Sequence, residues 1–396
     1  MSFNNGHLGK ALLFGDSLSH MFNDAIPLIQ IALIPVFMKE FNLTVFQVGL
    51  ITSIPLVCGT LSILFAGFLA DRIHHINQVV IAFSLMGISS IMVALARDVI
   101  FLTVFLSLIV VSNSIFHPAG FSLGSKIMKP ERRTTALGFF NAGGIMGFAV
   151  GPFSVGVLLG YLEWRAVYLF WTALLSLIIV YMLVLKSKGA WRPKVAQVEE
   201  SSKPSIKSVL ALPLIILLAV VGIEWMGRHM IITYLTSFLV FERSFTIQTA
   251  SVFLGLISIA GIIGGPLGGF IADRIGVLKW FMICIGSLMT FTYLILISPN
   301  MWSLAMVAII FGFFAAGEMA SGSSLISKYV HINRRGLGYS LYFLSINAVS
   351  AVAPLIGALI AEGYSFSHVF YGAILLMVLA LAIIWLGLRR RDGNNS

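Results

Sequence analysis

The hexapeptide Gly67-Phe-Leu-Ala-Asp71-Arg72 recurs as Gly269-Phe-Ile-Ala-Asp273-Arg274, 202 residues downstream. The same offset carries Arg132-Arg133 onto Arg334-Arg335 and Pro152 onto Pro354. Landmarks that keep one register over this distance mark a duplicated unit, and tandem units of this kind are one architecture of membrane transporters. The residues around the landmarks are overwhelmingly apolar. Of the 396 residues, 59% are hydrophobic and 10% charged, with a mean hydropathy of +1.00. Soluble domains average about 25% charged residues, so this composition belongs to a polytopic membrane protein.

Apolar runs of about 20 residues, the length that crosses a bilayer, lie near 11–36, 44–70, 77–96, 99–123, 134–160 and 165–186. A second set lies near 209–240, 246–272, 277–297, 301–327, 336–361 and 366–388. Between the sets, Lys186 to Ser208 is the extended polar stretch, with glycine, prolines and serines typical of a linker. The expected fold is an all-α membrane protein of twelve transmembrane helices in two pseudo-symmetric six-helix bundles. Their expected bounds are 1–187 and 209–396, joined by a cytoplasmic linker over 188–208.

Lys and Arg gather on one predicted face, at both termini, in the linker and after spans two, four, eight and ten; Lys39, Arg97, Arg165 and Arg243 fall on the other. That bias predicts cytoplasmic termini and accounts for the net charge of +10 without a nucleic-acid partner. Cys58 and Cys284 both sit in apolar spans and support neither a disulfide framework nor a metal site. The first apolar run exceeds a signal-peptide core and is expected to be retained.

Span one carries Asp16, His20 and Asp24 at i, i+4 and i+8. On a helix these share an arc of about 80° and climb roughly 12 Å along the axis. A charged group at bilayer depth costs roughly 2.5–3.5 kcal/mol, so such residues mark cavities or partners. Other titratable residues within spans are His117 in span four, Glu224, Arg228 and His229 in span seven, and Glu318 in span ten. The 202-residue offset maps Glu318 onto position 116, beside His117, and maps Glu224 and Arg228 onto 22 and 26, around Asp24.

The repeated hexapeptide resembles the loop signature of the major facilitator superfamily, Gly-x-x-x-Asp-Arg-x-Gly. The first copy departs from it at His74 and His75, whereas the second keeps the glycine as Gly276. The resemblance spans the chain and implies that Asp71 and Arg72, with Asp273 and Arg274 in the repeat, form a conformational gating loop. Gly138, Gly147, Gly151 and Pro152 in span five resemble the superfamily's antiporter signature, which ends in paired glycines where this chain has Val155-Gly156. His20-Met-Phe-Asn-Asp24 and Phe116-His-Pro118 look like motifs of the fosmidomycin-resistance group within that superfamily.

In superfamily architecture spans one, four, seven and ten line the central cavity, where the buried charges of this chain fall. The implied function is proton-coupled secondary transport by alternating access, exporting a small drug or metabolite, anionic ones included. Import or facilitated passage of an organic anion or sugar is the alternative. Asp24, His20, Glu318 and Glu224 are the expected proton-coupling residues, since carboxylates and imidazoles can load and release protons. Arg228, His117, Trp225 and Asn141 are the expected substrate contacts, with the forked guanidinium suited to a carboxylate or phosphonate. A lasting i, i+4 pair between Arg228 and Glu224 is the competing reading. Phe116, Tyr234 and Asn347 are expected to shape or pack the pocket.

No P-loop, zinc-ligand spacing or nucleophile elbow with a triad occurs. The chain is therefore expected to be no enzyme, to need no cofactor or metal, and to draw on a proton gradient. Its expected partners are a small-molecule substrate, protons and the lipid bilayer. With both halves in one chain, a monomer in the cytoplasmic membrane would suffice.

Overall fold

The computed structural model describes residues 6–127, 133–189, 211–330 and 335–389, and all regular structure among them is helical. The first half contains α1 (Gly6–Glu40), α2 (Val45–Arg72), α3 (His75–Ala94), α4 (Val99–Ile127), α5 (Arg133–Leu158) and α6 (Trp164–Ser187). The second contains α7 (Leu212–Ser237), α8 (Ile247–Ile275), α9 (Val277–Ile297), α10 (Met301–Tyr329), α11 (Arg335–Gly363) and α12 (Phe366–Ile384). Among the described residues, twelve helices are long and apolar enough to cross a membrane. From residue 190 onward, the linker predicted over 188–208 lies outside the described residues.

The 202-residue register extends to the backbone. Shifted by that amount, the starts of α2 to α6 coincide with the starts of α8 to α12. The end of α1 at Glu40 likewise maps onto Glu242, where a π-helical turn, Phe238–Glu242, prolongs α7. One local difference explains a departure from the loop signature. Gly276, before α9, has φ +97°, a left-handed conformation that glycine adopts without strain. Its counterpart His74 has φ −60° and instead accepts a hydrogen bond from the Ile76 amide at 3.2 Å, capping α3.

The chain divides into two compact units that do not follow chain order alone. The first gathers the chain through Leu43, the stretch from Ile54 through α6, and Phe245–Gly255. The second gathers Thr44–Ser53, the stretch from α7 to Ser244, and everything described from Leu256 onward.

Within the first unit α1 is the central element, packed on α4, α5 and α6. Its closest neighbour is α5, and the sequence shows why. A Cβ added at Gly143, Gly147 or Gly151 would fall on the backbone carbonyl of Ser17, Met21 or Ala25, respectively. The two rows share an i, i+4, i+8 spacing, so α5 lies against α1 over two helical turns with no side chain between the backbones. Two of the three motif glycines of span five therefore serve close approach, whereas a Cβ at Gly138 would meet nothing within 4 Å among the described residues. In the second unit α7 packs on α11 and α12, and α9 on α10 and α12.

Candidate functional site

In the first unit, α1 and α4 bring His20, Asp24 and His117 together. His20 Nε2 lies 3.2 Å from Asp24 Oδ2, and His117 Nε2 lies 3.5 Å from Asp24 Oδ1. Oδ1 also accepts hydrogen bonds from the side-chain amides of Asn23 at 3.0 Å and Asn113 at 3.2 Å. The Asn113 amide is fixed in turn by donating to the Asn23 carbonyl at 2.9 Å. Asp24 is buried, while the His117 side chain is 35% exposed and forms the open side of the cluster. Phe140 of α5 closes the other side, its ring stacked on His20 with centroids 4.0 Å apart. A Cβ at Gly144 would come within 2.7 Å of His20 Cε1 and 2.9 Å of Asp24 Oδ2, so only glycine leaves room for the pair.

The His20 contacts constrain where protons sit. Nδ1 is 2.8 Å from the Phe140 carbonyl, and a carbonyl oxygen only accepts, so Nδ1 carries a hydrogen. In a neutral imidazole Nε2 then bears a lone pair, which would face a carboxylate oxygen at 3.2 Å. The contact is attractive only with a proton on that line, held by the ring or by the carboxyl. His117 Nε2 has a choice of partner. It lies 3.4 Å from the Asn23 amide nitrogen, a donor, and 3.5 Å from Asp24 Oδ1, an acceptor, so its better partner changes with its own protonation.

Single donor atoms of His20, Asp24 and His117 lie within 4.8 Å of one another, a donor set that a transition metal accepts. However, two amide N–H groups already engage Oδ1, and the Asn23 nitrogen lies within 3.4 Å of both Oδ1 and His117 Nε2. The cluster is built as a hydrogen-bonded network.

The second unit holds a counterpart on α7 and α10. Arg228 Nη2 donates to Glu224 Oε2 at 2.9 Å and also to Glu318 Oε2, while Nη1 donates to the Ala315 carbonyl at 3.0 Å. Both glutamates are fully buried, and Arg228 is 4% exposed. The guanidinium carbon stands 3.9 Å from the centre of the Trp225 ring, a cation–π contact. Two carboxylates thus share one guanidinium, and the remaining oxygens, Glu224 Oε1 and Glu318 Oε1, are buried without a hydrogen-bond partner among the described residues.

The i, i+4 pair of Arg228 with Glu224 is present, and Glu318 joins it. Three guanidinium hydrogen bonds are thereby made, and Arg228 Nε is left without a partner among the described residues. Asn141 is exposed, and it is the neighbouring Phe140 that faces the histidine. Tyr234 packs in the core with its hydroxyl donating to the Pro354 carbonyl at 2.5 Å, and the Asn347 amide bonds the Phe343 carbonyl of its own helix at 2.9 Å. Arg72, Asp273 and Arg274 lie exposed near the ends of α2 and α8, with Arg274 stacked 4.2 Å over Phe270. The Asp71 side chain lies outside the described residues. Asn23, Asn113 and the Phe140 and Ala315 carbonyls were not singled out from sequence. Asn23 lies inside the quoted motif and Asn113 one helical turn before His117, a signal that spacing alone could have supplied.

The sequence profile of the Major Facilitator Superfamily matches residues 17–278 and 225–396. The chain is 25% identical over 387 residues to the fosmidomycin resistance protein of Escherichia coli, covering 93% of this chain and 91% of that protein. It is 24% identical over 377 residues to the multidrug resistance protein MdtG of Escherichia fergusonii, covering 90% of each. Among solved structures it resembles a bacterial homologue of the human lysosomal transporter Spinster, inward-facing and unoccupied. The TM-score is 0.79 at 14% identity, covering 97% of this chain and 98% of that one.

Proposed function

Since the chain belongs to the Major Facilitator Superfamily, a family of multi-pass membrane transporters and not of enzymes, we propose that it is a proton-coupled exporter in which Asp24 and His20 carry the coupling proton. The observation that carries this reading is the fixed His20 ring. With Nδ1 bonded to the Phe140 carbonyl, the Nε2–Asp24 contact needs a proton that a change of conformation can take away. Efflux is favoured by relatives named for resistance to fosmidomycin and to multiple drugs. The substrate is accordingly a small drug or metabolite.

His117, on the open side of the cluster, is the proposed substrate contact in the first unit, with Asn141, next to Phe140 in sequence, as a second. Trp225 and Arg228 are the proposed contacts in the second. There Glu224 and Glu318 exceed the charge of Arg228 by one, so this cluster is a second place for a proton. Movement of the substrate by alternating access, with the Asp71, Arg72, Asp273 and Arg274 turns as gating elements, completes the reading. A proton gradient supplies the energy without a cofactor. Both clusters occur in one chain, which supports action as a monomer. The distribution of Lys and Arg supports the cytoplasmic membrane with both termini in the cytoplasm.

The test is export by proteoliposomes under an imposed pH gradient, with fosmidomycin and ethidium as probes. Asp24→Asn is expected to abolish gradient-driven export while leaving exchange of probe across equal pH. Gradient-driven export at the wild-type rate in that variant would remove Asp24 from the coupling step. Accumulation in the opposite direction would make the protein an importer.

A further inference from the structure

The polar ladder of α1 has a rung that the network around Asp24 leaves out. Asp16 is fully buried, and neither of its carboxyl oxygens has a hydrogen-bond partner among the described residues. It is wedged where three helices meet. A Cβ at Gly124 of α4 would lie 3.1 Å from Asp16 Oδ2 and 3.6 Å from Phe140 of α5. Phe140 is also the residue whose carbonyl fixes His20.

No described cation or donor compensates this carboxyl. On its own helix the titratable groups are His7, Lys10, His20 and Asp24, with His7 and Lys10 exposed and the other two bonded to each other, and Lys39 and Glu40 at the far end. The described side chains of α4 offer His117, which faces Asp24, and those of α5 offer no titratable group. On α6, the Tyr181 hydroxyl donates to the Ala11 carbonyl, Arg165 binds Glu40, and Lys186 binds Asn77. Tyr168, also on α6, packs against Trp164. An unpartnered ionised carboxylate in such a place is among the costliest arrangements a membrane protein can hold. A neutral acid without partners adds nothing to packing that an apolar residue would not, so the group's use lies in a state other than this one.

We propose that Asp16 is a proton reservoir for the His20–Asp24 pair, holding a carboxyl proton in this conformation and reloading the pair after it discharges. The inference rests on the proton-coupling role given above to that pair. After discharge, His20 is neutral with its hydrogen on Nδ1, and Asp24 is ionised. The Asp16 O–H bond then breaks, a proton passes through water, and an N–H bond forms at His20 Nε2. Asp16 is left as a carboxylate beside an imidazolium paired with Asp24, with total charge unchanged, and is reprotonated from the aqueous phase. One helical turn, about 6 Å of rise, separates Asp16 from His20. That span exceeds a direct hydrogen bond and suits one bridging water.

The test uses full-length protein in proteoliposomes without substrate, adsorbed on a solid-supported membrane and subjected to repeated pH jumps. Asp16→Asn is isosteric with the neutral acid and cannot release a proton. It is expected to slow recovery of the charge movement between jumps at least tenfold, with Asp16→Glu recovering faster than Asp16→Asn. Infrared spectra of wild-type protein carrying carboxyl-labelled aspartate are expected to show a protonated aspartic acid that spectra of Asp16→Asn lack. Wild-type recovery in Asp16→Asn, while Asp24→Asn is inactive, overturns the reservoir and leaves the coupling role standing. Absence of the labelled acid band overturns the reservoir as well. Wild-type charge movement in Asp24→Asn overturns the coupling role and the reservoir together.

Discussion

Glu224 and Glu318 share one guanidinium, and this arrangement predicts that their substitutions are strongly non-additive. Replacing either with glutamine leaves Arg228 with one carboxylate, its bond to the Ala315 carbonyl and its contact with Trp225. Each single change exchanges one charged hydrogen bond for a neutral one and removes the surplus acid. Its expected cost is about 1 kcal/mol. The double variant strands a buried guanidinium, and uncompensated buried charges cost about 3–5 kcal/mol. The cycle should therefore show an excess of about 1–3 kcal/mol over the sum of the single changes, well above the scatter of about 0.5 kcal/mol for independent sites. Reversible unfolding in mixed micelles of dodecyl sulfate and a mild detergent, followed by circular dichroism, measures all four corners. Additivity within that scatter would refute joint neutralisation of Arg228. A single variant costing as much as the double would show that only one carboxylate matters.

Two further outcomes concern the first unit. Asn113→Ala removes donors to Asp24 Oδ1 and the Asn23 carbonyl; it should cost about 1–3 kcal/mol in the same unfolding assay and lower proton-driven export. Gly144→Ala drives a methyl group into His20 and Asp24, and His20 cannot retreat because Phe140 holds it by stacking and by its carbonyl. Overpacking of this kind costs about 1–3 kcal/mol, so export should be lost. By contrast Gly286→Ala, whose added Cβ meets nothing within 4 Å, should unfold and transport like the wild type.

The twelve helices were legible because hydropathy summed over about 20 residues is insensitive to any single side chain. Their ends were less so. The helical backbone of α1 continues through Lys39 and Glu40, and that of α4 through Lys126, where polar side chains erase the apolar signal while the backbone bonds go on. The two clusters were half legible. The i, i+4 spacing and the repeat register placed His20 with Asp24 and Glu224 with Arg228, because charge in an apolar run is conspicuous. Asn113 and the carbonyls of Phe140 and Ala315 were not, since amides are unremarkable and a carbonyl belongs to every residue. Asn141 stood out as a polar residue in span five, yet one residue on a helix turns by about 100°, and Phe140 faces the cluster instead. The grouping of Thr44–Ser53 with the second unit depends on tertiary packing that no local pattern records.

The matched helix starts bear on how this chain came to be asymmetric. Six helices have kept their spacing across both copies, so divergence went by substitution and not by insertion. On the first and fourth helices of each copy, substitution left imidazoles beside a carboxylate in one and a guanidinium between two carboxylates in the other. An imidazole can be neutral or charged, whereas a guanidinium keeps its charge. A homodimer of identical halves must place the same residue at both equivalent positions. With both copies in one chain that restriction is gone: Ile26 stands where the second copy has Arg228, and Met319 where the first has His117.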